Sequence, residues 1–228
     1  MIEPVVSTAP GDLGCIVRGE ALVLLPERAV HWARTATLLI ADPHFGKAAT
    51  FRSAGVPVPA GTTAGTLARV DATLARTGAT RLIFLGDFLH AREGRAASTI
   101  DALGAWRERH ATLEMLLVRG NHDRRAGDPP GELGISCVDA PLLEAPFAFV
   151  HHPVELPDAY AMAGHIHPAV TMVGRGRQRE RLPCFWFGER SAVLPAFGEF
   201  TGVAAVEPVA GDQVFVVAGD VVRAVATA

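Results

Sequence analysis

The sequence predicts an α/β protein in which two β-sheets pack together and helices flank them. Three observations support this fold class. Short apolar runs separated by turn residues recur along the whole chain, as is typical of strands. Two stretches in the first half instead place their apolar residues at helical spacing. The second half contains short apolar runs almost exclusively, so the chain divides into a βαβαβ half and a mostly β half.

Ten apolar runs are the predicted strands, and residues that favour turns lie between them. In chain order they occupy residues 21–25, 37–41, 81–85, 113–118, 147–150, 160–163, 170–173, 184–187, 191–194 and 213–217. The main irregular stretches are residues 55–59 and an arginine-rich loop at 174–181.

Two helices are predicted between strands of the first half, over residues 62–77 and 96–110. Their apolar faces are formed by Leu67, Val70 and Leu74 in the first helix, and by Ile100, Leu103 and Trp106 in the second. Gly78, directly after the first helix, is typical of a helix end. One domain over residues 1–228 is the simplest arrangement.

The composition of the chain argues against several classes of protein. Its three cysteines are scattered, so they indicate neither a disulfide framework nor a zinc ribbon. The first ten residues lack the pattern of an export signal, and no apolar run approaches the ~20 residues of a membrane span. A net charge of −3 gives no general reason to expect nucleic acid or an anionic membrane as a partner. We therefore expect a cytoplasmic protein without a membrane partner.

Side chains that suit metal binding follow five of the predicted strands directly. They are Asp42 and His44; Asp87; Asn121, followed by His122 and Asp123; His151; and His165 and His167. The carboxyl ends of neighbouring strands meet at one edge of an α/β sheet, and sites form there. The sequence therefore predicts that these side chains converge.

The spacing of these residues indicates how many metal ions they can bind. On extended backbone, residues two apart point the same way, so Asp42 pairs with His44 and His165 with His167. Seven ligands in all are too many for one ion, but they suit two ions that share a carboxylate. His151 and His152 compete for one of the positions. Glycines before Asp87, Asn121 and His165 allow close backbone approach to an ion or substrate.

The order Asp-x-His, Gly-Asp, Gly-Asn-His-Asp, His, Gly-His-x-His resembles the calcineurin-like metallophosphoesterase superfamily. Within it, the sequence is most similar to the branch of ligase-associated DNA damage response endonucleases, the PdeM family. The stretches that carry this likeness are ADPHFGK at 41–47, GVPVP at 55–59, FLGDFLHAR at 84–92, RGNHDR at 119–124 and PCFWFGERSAVLPAFGEFTG at 183–202.

This resemblance implies a four-layer α/β/β/α sandwich with two mixed sheets and a dinuclear metal site at one edge. Carried over residue by residue, the first ion takes Asp42, His44 and His167, the second takes Asn121, His151 and His165, and Asp87 bridges them. His122 is implied as the general acid, with Asp123 fixing its tautomer. The cofactor is expected to be two divalent ions, with Mn²⁺ the first choice and Fe, Zn²⁺ and Ni²⁺ also compatible with these ligands.

The same resemblance implies a metal-dependent phosphodiesterase that cleaves DNA, most plausibly single-stranded DNA in repair, with a functional link to a DNA ligase and a helicase. Local charge agrees, because arginines flank three of the motifs. Those expected to bind the substrate are Arg124, Arg175, Arg177 and Arg179. The oligomeric state and the polarity of cleavage stay open.

Three other functions compete with DNA cleavage. Protein phosphatases of the superfamily carry an acidic residue and an arginine after Gly-Asp, whereas Phe88 and Leu89 stand here. Hydrolysis of small nucleotides or other phosphate esters fits the same metal ligands. A non-catalytic scaffold, such as the retromer subunit with this fold, is disfavoured because His122 and all seven ligands are present.

Overall fold

The first of two mixed sheets is built from the part of the chain that ends at Val138. The computed structural model describes residues 3–5, 9–59, 61–174, 176 and 178–225. Over these residues the first sheet has eight strands, which lie side by side in sequence order. They are β1 (Glu3–Val5), β2 (Leu13–Val17), β3 (Glu20–Leu25), β4 (Ala29–Trp32), β5 (Thr37–Ile40), β6 (Arg81–Phe84), β7 (Glu114–Val118) and β8 (Ser136–Val138).

The second sheet is built from residues that follow the first sheet in the chain. Its strands are β9 (Leu142–Glu144), β10 (Phe147–Phe149), β11 (Tyr160–Ala163), β12 (Pro168–Val173), β13 (Arg179–Phe187), β14 (Ser191–Val193), β15 (Ala204–Ala205), β16 (Gln213–Ala218) and β17 (Val221–Val225). Seven of them lie in the order β15-β12-β13-β14-β11-β10-β9. The other two form a branch, in which β16 pairs with β13 and β17 pairs with β16.

Parallel strands in both sheets end at the same edge of the molecule. In the first sheet β5, β6, β7 and β8 run parallel, and in the second β10, β11 and β14 do so. The remaining neighbours in the first sheet are antiparallel. The loops that follow β5, β6, β7, β10 and β11 are therefore free to converge.

Four α-helices lie among the described residues, and the two long ones cover the outer face of the first sheet. They are α1 (Lys47–Ser53), α2 (Thr62–Thr77), α3 (Ala97–Arg109) and α4 (Asn121–Ala126). Leu67 of α2 and Leu103 of α3 pack in one apolar cluster with Leu38 and Phe84 of the sheet. The α2 helix ends where the sequence predicts, because Gly78 adopts a left-handed conformation and donates its N–H to the Leu74 carbonyl. Over these residues, no helix combines the length and apolarity that crossing a membrane requires.

The predicted pair of mixed sheets with flanking helices is confirmed, and the α-helices that the structure describes all lie before β8 in the chain. The outer face of the second sheet carries Cys184, Val214 and Val216, which pack with the partly buried Val206. The loop that contains Val206 thus covers the outer face of the second sheet, where the expected four-layer sandwich would have helices. The physical reason is local, because the described residues after β8 contain no long run with helical spacing.

The space between the two sheets holds the larger part of the core. Side chains alternate along β13, so Phe185 and Phe187 face the first sheet while Cys184 faces away. The Trp32 ring of β4 meets the Phe147 ring of β10 edge to face, with centroids 5.1 Å apart. Contacts of this kind fix one sheet against the other.

The ten predicted strands are all present, and nine of them begin and end within two residues of the prediction. The exception is β13, which begins at Arg179 rather than at residue 184. Its first residues pair with β12 in a hairpin whose side chains are largely exposed, so no apolar pattern marks it. Backbone pairing alone extends this strand.

Phe147→Ala should lower the free energy of unfolding by about 3–5 kcal/mol, because Phe147 is fully buried between the sheets. Denaturant titration of the two variants measures the change. Leu143→Ala, on the neighbouring strand and 64% exposed, is the matched control and should cost far less. Equal losses in the two variants would show that packing between the sheets does not stabilise the fold.

Candidate metal centre

All seven side chains that the sequence predicts as metal ligands meet at the shared edge of the two sheets. Asp42 and His44 follow β5, Asp87 follows β6 and Asn121 begins α4 after β7. From the second sheet, His151 follows β10, and His165 and His167 lie between β11 and β12. Potential ligand atoms of the aspartates and histidines among them lie within 4.8 Å of one another in overlapping groups, and the Asn121 oxygen lies 3.0 Å from Nε2 of His151. We call this cluster the metal centre.

One group of donors surrounds the Nε2 atom of His151. This atom lies 3.0 Å from Oδ1 of Asn121, 3.2 Å from Nδ1 of His165 and 3.3 Å from Oδ1 of Asp87. The His151 ring is buried, whereas the neighbouring His152 is exposed. Of the two histidines that compete for this position, His151 is the one whose nitrogen lies within 3.3 Å of Asn121 and Asp87, while a nitrogen of His152 lies within 4.8 Å of donor atoms of His151 and His165.

A second group of donors surrounds the Nε2 atom of His44. This atom lies 3.4 Å from Nε2 of His167 and 3.7 Å from Oδ2 of Asp87. His167 Nε2 is in turn 3.5 Å from Oδ1 of Asp42. The two oxygens of Asp87 thus face different groups, which is the geometry of a carboxylate shared between two ions.

Backbone carbonyls fix the orientation of two imidazole rings in the metal centre. Nδ1 of His151 lies 2.9 Å from the Leu85 oxygen, and Nδ1 of His167 lies 3.0 Å from the Gly202 oxygen. A carbonyl oxygen can only accept a hydrogen bond, so each Nδ1 carries a proton and each Nε2 keeps a free lone pair. Those lone pairs point into the two donor groups.

Burial keeps the imidazoles ready to bind a cation at neutral pH. It lowers the pKa of His151 to about 4, and it lowers the pKa of His44 strongly, with His167 and Lys47 adding to the effect. Burial opposes a charge on His167 as well, but the Asp42 carboxylate outweighs it and raises the pKa of that ring. At least two of the rings therefore present unprotonated nitrogen beside carboxylates.

The Asp42 carboxylate carries the strongest sign that a cation fits this cluster. Its Oδ2 accepts the backbone N–H of His165 at 2.8 Å, whereas its Oδ1 is buried and has no hydrogen-bond partner among the described residues. An unpaired buried oxygen costs free energy. A divalent cation between Asp42, His44 and His167 would satisfy it, and the mixed nitrogen and oxygen donors suit such an ion.

The backbone conformation of the ligands differs from the extended one that the sequence argument assumes. Asp42, His44, Asp87, His165 and His167 all have positive φ, between 46° and 69°. Residues other than glycine rarely adopt such angles, which cost ~1–3 kcal/mol each and cluster at functional sites. Sharp left-handed turns, and not the alternation of an extended strand, bring each pair of ligands to one place.

The glycines before the ligands make room for the ligand side chains themselves. A Cβ atom on Gly120 would lie 2.2 Å from Oδ1 of Asp87, and one on Gly86 would lie 2.2 Å from Nδ1 of His151. The sequence argument assigns this room to an ion or a substrate. Any larger residue at either position would push the ligands apart.

His122 lies beside the metal centre with one nitrogen free. Its Nδ1 donates to the His90 carbonyl oxygen at 2.5 Å, so Nε2 is the unprotonated nitrogen of the neutral ring and lies 3.9 Å from Oδ2 of Asp87. The His90 ring stacks on it, with centroids 4.8 Å apart. His90 also places its Nδ1 3.2 Å from Nδ1 of His44.

The role implied for Asp123 is corrected by the structure. Its Oδ2 accepts the N–H of Gly120 at 2.9 Å and its Oδ1 accepts the N–H of Leu89 at 3.2 Å, so it caps α4 and fixes a loop. The His90 carbonyl, and not Asp123, fixes the tautomer of His122. Neighbouring residues on a helix point in different directions, so adjacency in sequence does not bring their side chains together.

The stretch 183–202 supports the metal centre through its last residues. Phe197 donates its N–H to the Ala41 oxygen at 2.8 Å, and Gly198 donates to the Asp42 oxygen at 3.2 Å. Gly202 provides the carbonyl that orients His167. The sequence resemblance marks this stretch, but only the structure shows that it braces the loop after β5.

Two of the arginines near the centre are engaged in structural contacts. Arg119 makes a bidentate ion pair with Asp128, with both distances 2.7 Å. Arg95 donates to the backbone oxygen of Asp128 at 2.7 Å. They therefore hold the segment after α4 in place.

Of the four arginines predicted to bind the substrate, two can be placed. Arg124 is exposed on α4, with one contact of 3.4 Å to Asp139. Arg179 is exposed in the β12–β13 hairpin, and β12 carries the chain six residues beyond His167, roughly 20 Å at ~3.3 Å per residue. Arg175 and Arg177 lie outside the described residues.

One solved structure matches the chain closely. The crystal structure of Pseudomonas putida nuclease MPE aligns over 99% of this chain and 100% of its own, with a TM-score of 0.81 and 42% sequence identity. A protein of unknown function from Aquifex aeolicus covers 57% of this chain and 78% of its own, with 16% identity and a TM-score of 0.38. Yfce, a phosphoesterase from E. coli, covers 84% and 92%, with 17% identity and a TM-score of 0.38.

The last two TM-scores are too low to establish a shared fold. No protein-family model and no curated protein matches the chain. The alignment with the nuclease nevertheless spans both sheets and every loop of the metal centre, at an identity that establishes common ancestry. The chain therefore belongs to the calcineurin-like metallophosphoesterase superfamily, as a hydrolase of phosphoester bonds related to nuclease MPE.

Proposed function

We propose that this protein is a nuclease that uses two divalent cations to hydrolyse phosphodiester bonds in single-stranded DNA. The observation that carries the proposal is the pair of donor groups joined through Asp87, beside an imidazole with a free Nε2. The relation to nuclease MPE, at 42% identity, supports a nucleic acid as the substrate. A scaffold would have no use for such an arrangement.

Each cation would be held by residues from both sheets. The first would take Asp42, His44, His167 and one oxygen of Asp87; the second would take Asn121, His151, His165 and the other oxygen of Asp87. Two divalent cations supply activation of water at neutral pH and stabilise the charge on the attacking and leaving oxygens of an in-line displacement. We propose Mn²⁺ for activity, and Fe, Zn²⁺ and Ni²⁺ also suit donors without thiolate.

His122 would protonate the leaving oxygen of the cleaved strand. Its Nδ1 is held by the His90 carbonyl, so a second proton must sit on Nε2, the atom that faces the metal centre. A protonated imidazole there transfers this proton to the leaving alkoxide as the bond to phosphorus breaks. The hydrogen bond to His90 keeps Nε2 of His122 directed at the metal centre during the proton transfer.

Exposed arginines would hold the DNA strand on either side of the metal centre. Arg124 lies next to the second donor group, and Arg179 lies roughly 20 Å from His167 along β12, a span of several nucleotides of single-stranded DNA. Arginine guanidinium groups bind phosphate oxygens in pairs. A strand that reaches both positions must extend over several nucleotides.

We also propose that the protein acts in DNA repair in the cytoplasm, in a functional link with a DNA ligase and a helicase. The similarity of residues 183–202 to the ligase-associated branch supports this role. The contacts of Phe197 and Gly198 with the loop after β5 give that similarity a physical link to the metal centre.

Asp87→Ala should abolish the binding of both cations, because the two oxygens of this carboxylate face the two donor groups. His44→Ala should weaken the binding of one cation. Metal analysis after equilibration with limiting Mn²⁺ measures both effects. His110→Ala, a histidine outside the metal centre, should bind as the unchanged protein does. If the Asp87 variant kept two ions per chain, Asp87 would not bridge them.

His122→Ala should retain both cations and lose about 10²–10⁴-fold in the rate of DNA cleavage, because the leaving alkoxide needs a proton. The loss should be much smaller with a nitrophenyl phosphodiester, whose leaving group departs without protonation. Steady-state kinetics on both substrates, together with metal analysis, measure the difference. Equal losses on the two substrates would contradict the general-acid role.

Arg179→Ser combined with Arg181→Ser should weaken the cleavage of long single-stranded DNA and flatten its salt dependence, because fewer counterions are released on binding. Hydrolysis of a nitrophenyl phosphodiester should not change, since that substrate is too short to reach the hairpin. The matched control is Arg109→Ser with Arg223→Ser, two exposed arginines outside the hairpin. If the metal-loaded protein hydrolysed a small nucleotide and left DNA uncut, it would be a nucleotide hydrolase.

A further inference from the structure

A side pocket of about 550 Å³ opens beside the metal centre. Five of its lining residues are apolar: Ala140, Pro141, Val150, Val154 and Leu156. The other six are Arg119, Gly120, Asn121, Arg124, His151 and His152. The proposed chemistry uses Asn121 and His151 at one end, and it leaves most of the pocket without a role.

The side pocket is continuous with the second donor group. Asn121 and His151 belong to both, and Nε2 of His151 lies 3.0 Å from the Asn121 oxygen at their junction. His152 lies on the same border, with its exposed ring 4.0 Å from the His165 ring, centroid to centroid. A phosphate held at the second donor group would therefore place one of its substituents at the mouth of the pocket.

The chemistry of the walls favours a flat, uncharged group over a phosphate. Val154 is 42% exposed and, with Pro141 and Leu156, offers aliphatic surface. Arg119 also lines the pocket, but its Nε and Nη2 already bind Asp128 and its Nη1 lies 3.5 Å from Oδ2 of Asp139. An apolar pocket of this size with few directed polar groups is typical of a binding site for a small organic moiety.

Charge separates this pocket from the other large groove of the described residues. That groove, of about 990 Å³, carries charges of both signs, because Glu155, Glu189 and Asp212 line it together with Arg18 and Arg190. No carboxylate is among the eleven residues that line the side pocket. The charged residues that line the side pocket, Arg119 and Arg124, are both cationic, so the side pocket suits part of a polyanionic strand better than the groove does.

We propose that the side pocket receives the nucleobase of one nucleotide next to the scissile phosphate. This inference rests on the proposed nuclease function and deepens it. The faces of a base are apolar and would pack on Val154 and Leu156, while its polar edge stays near Arg124 and water. Because the walls offer few fixed donors and acceptors, the pocket accepts each of the four bases.

The test uses single-stranded oligonucleotides that carry one abasic residue at a known position. The protein loaded with Mn²⁺ should cleave one of the two phosphates that flank this residue about tenfold more slowly than the same phosphate in the normal strand. Cleavage at distant phosphates should not change. The ratio of the two rates is independent of how much of each preparation is active.

Val154→Trp fills the side pocket and lies on an exposed loop position, so the fold tolerates it. Its cleavage rates with and without the base should become equal, because the base no longer enters. Val209→Trp, an exposed position outside the side pocket, should keep the tenfold ratio.

Two results would contradict the proposed base-binding role of the side pocket without contradicting the nuclease function. One is equal cleavage of normal and abasic strands by the unchanged protein, and the other is the same tenfold ratio in the Val154 variant. The same ratio in the Val154 variant would show that the slower cleavage is a property of the abasic strand and does not depend on the side pocket. Failure to cut any strand, with hydrolysis of a nitrophenyl phosphodiester retained, would instead refute the proposed substrate and this inference with it.

Discussion

The rest of the structure depends on placing one buried carboxylate, Asp87, between two sheets. A charge removed from water must find partners, and its oxygens face His44 from one sheet and His151 from the other. The backbone N–H of His122 also donates to Oδ1, at 2.9 Å. Burial raises the pKa of Asp87, as expected of a carboxylate that lacks a full positive partner.

This constraint explains features of the chain that otherwise look unrelated. Gly120 must lack a side chain because Asp87 occupies the space. The loop after β5 must turn through left-handed angles so that His44 can donate its backbone N–H to the backbone carbonyl of Asp87 at 3.0 Å while its ring faces the carboxylate. The apolar core between the sheets offsets the cost of these angles, because strain persists only where surrounding structure holds it.

The sequence predicts the fold and the gathering of the ligands because both follow from local patterns. Apolar runs identify strands, and strand ends at one edge of the sheet bring Asp42, Asp87 and Asn121 together with the histidines of the second sheet. The tautomer of His122 could not be predicted in this way. It depends on the carbonyl of His90, which belongs to another loop, and no spacing in the sequence signals that contact.

The walls of the side pocket were also beyond sequence analysis, for a related reason. In the sequence, Val154 and Leu156 look like ordinary loop residues. Their proposed role in binding follows only from the fact that they line one pocket together with Asn121. The first residues of β13 are hidden in the sequence because their exposed side chains form no apolar pattern. Side-chain patterns report burial, so elements and contacts that depend on backbone pairing or on distant loops leave no trace in them.

The division of the predicted ligands between the two sheets would join metal binding to folding. Asp42, His44, Asp87 and Asn121 follow strands of the first sheet, and His151, His165 and His167 belong to the second. A cation bound by ligands from both sheets would act as a removable cross-link between them. Its binding free energy would stabilise the contact between the sheets in addition to the packing of Trp32 against Phe147. The concentration of free metal in the surroundings would then set how long the two sheets stay together, and the resistance of the whole chain to proteolysis would follow the supply of metal.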